Sequence, residues 1–325
     1  MDQLFEIARK TFDTPEFRGM TFIESEAKSI INRVPGGALP FDWTINPYRG
    51  CSHACVYCFA RPTHAYLDMN AGRDFETKIV VKVNAPDVLR RELAAKRWKG
   101  EHIAMGTNTD PYQRAEGKYR LMRGILEALV DYRNPFSILT KGTLILRDVD
   151  LLQRAADVAT VSAAFSIGTL DETVWRETEP GTPHPKARID AIRTLTEAGI
   201  PTGVLMAPIL PGISDRPEQL RELVEAAIDA GATHVSPILL HLRPGVREEF
   251  LPWLEDAHPD LVPRYLEMYR QPYGPKALRE SLGRRVSSMV SAAGGIRRSV
   301  EPARRFFRRD RERPRDQRAE QLRLL

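Results

Sequence analysis

Cysteine is nearly absent from this chain: three occur among 325 residues, all between positions 51 and 58. So few thiols, so close together, exclude a disulfide-stapled secreted fold. They point instead to a reducing cytoplasm with a metal or redox use for the group. Long apolar runs are also missing. The longest, around 203–210, has the length of a strand and falls far short of the ~20 residues that cross a bilayer, so no membrane association is expected. The opening MDQLFEIARK carries acids and lacks the apolar centre of a secretory signal. No G-x-x-x-x-G-K-[ST] and no G-x-S-x-G occurs, which removes the phosphate-cradling loop and the nucleophile elbow. His102, His184, His234 and His241 do not fall at metal-ligand spacing and read as surface or satisfied histidines. Acid excess is lacking too, but the net charge of +5 is unevenly placed: residues 297–325 hold 11 Arg against 5 acids. The body is therefore nearly neutral, and the high isoelectric point belongs to the tail.

The remaining composition, 42% hydrophobic and 28% charged, is that of a soluble globular protein long enough for one α/β barrel or two smaller domains. Short β-rich runs recur at 42–46, 79–83, 103–106, 137–140, 160–167, 202–210 and 234–240. Between them, apolar residues spaced by three and four predict helices, as in Val88-Leu89-Leu93, Leu121-Ile125-Leu129, Ile189-Ile192-Leu195 and Leu220-Leu223-Ala227. Asp148 is placed to cap the helix through Leu151-Leu152, and Gly199 and Gly231 to follow helix ends. Strands alternating with helices imply βαβ units and a parallel sheet, with functional groups gathered on the loops after the strands. The expected organisation is an N-terminal extension over 1–40, read as loop-rich from Asn32-Arg33-Val34-Pro35-Gly36-Gly37, and an α/β core over 41–250. A helical C-terminal extension follows over 251–295, then an Arg-rich, disordered tail over 296–325.

The stretch GCSHACVYCF spaces its thiols as Cys51-x3-Cys55-x2-Cys58. Offsets of four and three also describe one helical stripe, and unpaired cysteine is commonly buried, so three core cysteines on a helix are one reading. Pro47 and Gly50 favour a loop over a helix there. A Cys3His zinc site completed by His53 or His64 is a second. An iron–sulfur cluster is the third: [4Fe–4S] clusters normally take four thiolates, and three leave one iron open to another ligand.

The same spacing, with Tyr57 directly before the third cysteine and a strand leading in, resembles the signature of the radical S-adenosylmethionine (SAM) enzymes. The resemblance implies a partial (β/α)6 barrel of the TIM type. Cys51, Cys55 and Cys58 would hold a [4Fe–4S] cluster whose open iron takes the amino and carboxylate groups of SAM. One electron, from a flavodoxin- or ferredoxin-type donor, would then release a 5′-deoxyadenosyl radical for hydrogen abstraction. From Phe41 to Leu240 the series NPYRGCSHACVYCFAR, VKVNAP, GTNTDPYQ, LTKGTLILRDVDLL and FSIGTLDETVWRETEPGTP is similar to the spore photoproduct lyase-related, DNA repair photolyase-like branch.

By that resemblance, Thr107, Asn108, Thr109 and Asp110 stand where most of the family binds the SAM amino group with a Gly-Gly-Glu-like motif. This chain departs from that wording, and Asn-Thr-Asp-Pro is also ordinary turn chemistry. Lys141 matches the lysine that holds the SAM carboxylate; Ser166 is expected at ribose or carboxylate, Glu179 at the ribose hydroxyls or as the next helix's cap, and Met206-Ala207-Pro208 along adenine. The cysteine count leaves no thiol for a second cluster and none to quench a product radical, so Tyr112 is the candidate hydrogen donor by position. The Arg-rich tail, with Phe306-Phe307, suits sequence-independent nucleic-acid binding as well as solubilisation. A non-enzymatic, zinc-stabilised nucleic-acid-binding protein is the alternative function.

Overall fold

The computed structural model describes residues 8–34 and 39–295. The tail, together with the Pro35-Gly36-Gly37 signal, lies outside the described residues. Eleven strands are present among them: β1 Ala8–Lys10, β2 Thr21–Ser25, β3 Ile31–Arg33, β4 Trp43–Ile45, β5 Tyr48–Arg49, β6 Lys78–Lys82, β7 Ile103–Met105, β8 Phe136–Thr140, β9 Val161–Ser166, β10 Thr202–Ile209 and β11 Val235–Leu239. The larger sheet runs β11-β10-β9-β8-β7-β4-β3. Its six strands from β4 to β11 are all parallel, and β3 closes one edge antiparallel to β4. Its end strands β3 and β11 do not pair with each other among the described residues, so this is an open, mostly parallel α/β sheet, consistent with a partial rather than a closed barrel.

The predicted helices form where their apolar spacing placed them. Ala85–Ala94, Leu121–Asp131, Pro185–Glu197 and Pro217–Asp229 turn Leu89, Ile125, Ile192 and Leu223 into one core with Ile45, Met105, Ile138, Phe165 and Val204 of the strands. Burying a leucine or isoleucine side chain there contributes about 1.5–3 kcal/mol. Gly199 and Gly231 follow helix ends with φ of +83° and +82°, a conformation that favours residues without a Cβ. After β11 the chain is helical: Arg247–Ala257, Val262–Met268 and Lys276–Ala292.

Three expectations need correction. Residues 79–83 form a strand, but β6 is not in the barrel sheet; it joins a second sheet of order β1-β2-β6-β5. Residues 1–40 are not merely loop: β2 pairs parallel with β6 along its whole length, and β3 extends the large sheet. Asp148 sits at a helix N-cap, yet its carboxylate caps nothing. It accepts instead from the guanidinium groups of Arg147 and Arg123 and from the Tyr112 hydroxyl, 3.2 Å away. Charge-assisted bonds outbid a single backbone amide.

Candidate active site

The three cysteines lie in a turn-rich loop after β4 and β5, not on a helix. Gly50 opens it at φ +82°, and a Cβ there would stand 2.8 Å from the His64 ring and 2.9 Å from the Phe75 carbonyl. The loop is held through its backbone. Gln113 accepts from the Ser52 amide (3.0 Å) and donates to the Gly50 carbonyl (2.9 Å). Buried Arg61 donates two bonds to the Cys55 carbonyl, at 3.1 and 2.9 Å, and pairs with Glu76. The segment after the helix Glu172–Thr178 is stitched to the far side: Val56 donates to the Thr178 carbonyl (3.1 Å), and Gly181 to that of His53 (3.1 Å).

Beside Cys55, four side chains from different elements meet. Lys141, just past β8, donates to Ser166 at the end of β9 (2.9 Å) and to Glu179 (2.8 Å), and its ammonium lies 5.5 Å from the Tyr57 ring centre. The Tyr57 hydroxyl donates to the same Glu179 oxygen. The other Glu179 oxygen pairs with Arg188, a guanidinium with 0% exposure that also donates to the Ser166 and Pro183 carbonyls and the Thr182 hydroxyl. Burial pushes the Glu179 carboxyl up, but Arg188 and Lys141 more than offset it and hold the group far below the usual carboxylate range. Burial also raises the thiols of Cys51, Cys55 and Cys58, while Lys141 opposes this at the latter two and Arg61 at Cys58. Three thiols with neighbouring cations are a donor set suited to a cluster held by thiolates. Among the described residues no three His, Cys, Asp or Glu side chains converge as ligands of a single metal ion. Of the histidines offered for a zinc site, His64 faces the Lys78 carbonyl through Nε2 (3.0 Å) while its Nδ1 is buried without a partner among the described residues, and His53 faces Asp110 (3.4 Å).

Residues 45–234 match the Radical SAM superfamily. This chain belongs to that superfamily. Within it, a protein of Mycobacterium tuberculosis strain H37Rv is 51% identical over 279 residues, 85% of this chain and 82% of its own length. A "Radical SAM Nalpha-GlyT isomerase" of Pseudomonas phage M6 is 28% identical over 58% of this chain and 37% of its own. Among solved structures, a mutant spore photoproduct lyase with bound AdoMet and dinucleoside spore photoproduct superposes at TM-score 0.64 with 15% identity, covering 85% of this chain and 80% of that one. That likeness is one of fold. The chain is a radical SAM enzyme of lyase-like fold, and no helix among its described residues is long and apolar enough to cross a membrane.

In this radical SAM chain, the residues named from sequence separate into two groups. Tyr57, Lys141, Ser166 and Glu179 come together beside Cys55. Thr107, Asn108, Thr109 and Asp110 follow β7. Asp110 is already engaged, accepting from the Thr140 hydroxyl (2.6 Å) and the amides of Lys141 (2.6 Å) and Tyr112 (2.9 Å). It reads as a brace between the cysteine loop and Lys141. Met206 is buried, and the Ala207 carbonyl accepts from Ser166 (2.9 Å). Tyr112 is not brought into the group, because its hydroxyl is turned to Asp148. Glu179 does not cap the next helix; His184 does, accepting from the Lys186 amide (3.1 Å). Sequence reasoning missed Arg188, although a charge at 188 shares its helical stripe with Ile192 and Leu195 and so was marked for burial.

Gly181 gives a direct test of the stitching. A Cβ there would stand 2.1 Å from the Ser52 carbonyl oxygen, a distance that forces the two backbones apart. Gly181→Ala is expected to lower iron uptake by the cysteine loop while leaving far-ultraviolet circular dichroism unchanged; iron content per chain, measured after anaerobic reconstitution, checks it.

Proposed function

We propose that this chain holds a [4Fe–4S] cluster on Cys51, Cys55 and Cys58 and binds SAM beside it, to abstract hydrogen from a nucleic-acid substrate. The observation that carries the reading is the convergence of Lys141, Ser166, Glu179 and Tyr57 next to Cys55. When bound, the cluster supplies one electron that cleaves SAM to methionine and a 5′-deoxyadenosyl radical. A flavodoxin- or ferredoxin-type protein suits as donor, and reduced thiols suit the cytoplasm.

The protein's own part is positioning. Lys141 offers an ammonium to the SAM carboxylate, exchanging its bond to Glu179 for a bond of the same charge type. Arg188 keeps Glu179 ionised and fixed by its second oxygen, so the oxygen released by Lys141 can accept a ribose hydroxyl. Ser166, anchored on the Ala207 carbonyl, fixes the Lys141 ammonium. Thr107 and Asn108 follow β7, the strand beside β8, and offer acceptors for the SAM amino group. The nucleic-acid assignment draws on the fold shared with a lyase crystallised with a dinucleoside and on the arginines of 297–325.

The test is anaerobic reconstitution with iron and sulfide, then dithionite and SAM, with and without DNA. A brown protein that releases 5′-deoxyadenosine supports the reading; a colourless protein with stoichiometric zinc and no SAM cleavage ends it. Lys141→Met should weaken SAM binding about ten- to a hundredfold, the loss of one or two charge-assisted bonds, with the iron–sulfur absorbance retained. Equilibrium dialysis with labelled SAM reads that difference.

A further inference from the structure

On β5 and β6 two cations share one sheet face with no acid to answer them. Arg49 stands opposite Val80 in the antiparallel pairing of these strands, so it lies on the face of Val80 and Lys82, away from Tyr48, Ile79 and Val81, which enter the core. Among the described residues neither Arg49 nor Lys82 has a carboxylate within ion-pair distance. The nearby acids on these elements are spent on others: Glu24 on Lys10 (2.7 Å), Asp74 on Lys78 (3.0 Å) and Glu76 on Arg61. The one hydrogen bond Lys82 makes through its ammonium goes to the Asn46 carbonyl (2.8 Å). Burial and the Arg49 charge hold that ammonium down to about 8. A buried lysine in this state lacks a counter-anion.

Asn46 also ties in a third group. Its side-chain oxygen accepts from the Thr109 amide (3.5 Å), and the Thr109 hydroxyl, in a residue 2% exposed, has no hydrogen-bond partner. A buried hydroxyl left unpaired is costly and asks for a ligand. Asn46 follows β4 and Thr109 follows β7, two adjacent parallel strands, so Asn46 links the Lys82 ammonium to Thr109 at the strand ends where sites form in such sheets.

We propose that Arg49, Lys82 and Thr109 form an anion subsite that takes a phosphoryl group of the substrate. Guanidinium, ammonium and hydroxyl arrive from separate strands and a loop, an arrangement matched to a tetrahedral oxoanion with several acceptor oxygens. The SAM carboxylate is not the occupant, since Lys141 beside Cys55 serves it. This rests on the reading of the chain as an enzyme acting on a phosphate-bearing substrate, and it places recognition in the folded body rather than in the Arg-rich tail.

The experiment uses reconstituted full-length protein. Inorganic phosphate binding is followed by calorimetry, and a short fluorescein-labelled single-stranded oligodeoxynucleotide by anisotropy across a salt series. Wild type is expected to bind phosphate, and Arg49→Gln and Lys82→Met each to bind it about tenfold more weakly. Each should also flatten the oligonucleotide salt slope by about 0.7. Lys82→Arg keeps the charge and should keep binding, which separates loss of the subsite from loss of the fold. Phosphate binding that the oligonucleotide does not displace identifies the source as a free phosphorylated molecule and sustains the subsite. Phosphate bound equally by wild type and both variants, or by none, overturns it. Release of 5′-deoxyadenosine tests the radical reading separately, so failure of one is not mistaken for failure of the other.

Discussion

Replacing Cys51, Cys55 or Cys58 singly by alanine should abolish both the brown colour of the reconstituted protein and all 5′-deoxyadenosine release. The effect is total rather than graded because the chain has no reserve. Its three cysteines are its whole supply, and none is paired in a disulfide. A fourth thiolate would let a neighbour step in, but none exists. Stability should respond differently. Cys51 and Cys55 are buried at the margins of apolar clusters and Cys58 is partly buried against them, so removing a small sulfhydryl costs about 1 kcal/mol in the iron-free protein. Iron content, the visible absorbance and thermal unfolding, measured together, distinguish the two. A variant that keeps its colour and its SAM cleavage would remove the cluster assignment.

Arg188→Met is expected to be the most destabilising single change at the site. It leaves the buried Glu179 carboxylate with Lys141 as its remaining cation and strips donors from the Ser166 and Pro183 carbonyls. Breaking a buried pair from one side costs about 3–5 kcal/mol. At roughly 2 °C per kcal/mol for a long chain, the unfolding midpoint should fall by about 6–10 °C. Acid gives a second readout. The folded Glu179 carboxyl lies below its unfolded value, so its contribution is present above about pH 4.3 and lost as the pH falls through the folded value. Without Arg188 the depression shrinks, and the acid loss of stability becomes shallower. Arg188→Met combined with Glu179→Gln should recover part of the deficit, since the second change removes the stranded charge.

The barrel was legible because its strands are apolar, β-branched and bounded by helices of clear period. Phe136–Thr140 and Val161–Ser166 fall within a residue of where the pattern put them. The pattern does not say which sheet a strand joins. Lys78–Lys82 alternates buried and part-exposed residues like any half-buried strand, and only its pairing with Thr21–Ser25 removes it from the barrel. That partner was hidden because the 1–40 segment is dominated by turn chemistry, with short strands inside it. At the site, Lys141 and Ser166 were legible as candidates from the family likeness and from their places at strand ends, and Glu179 from the likeness alone. Arg188 was not: its stripe with Ile192 and Leu195 marks it for burial, but nothing in the sequence names Glu179 as its partner. The clamp by Arg61 was invisible for another reason: its acceptors include the main-chain oxygens of Cys55, Ala71 and Gly72, which no side-chain pattern encodes.

The bonds that shape the cysteine loop have a consequence for its upkeep. Gln113, Arg61, Val56 and Gly181 hold it through main-chain atoms, and none of them uses a sulfur. The loop is thus a mould rather than a casting: with the cluster proposed above, a chain stripped of iron is expected to keep the three sulfurs in register, and repair becomes a matter of resupplying iron and sulfide to a form that has kept its shape.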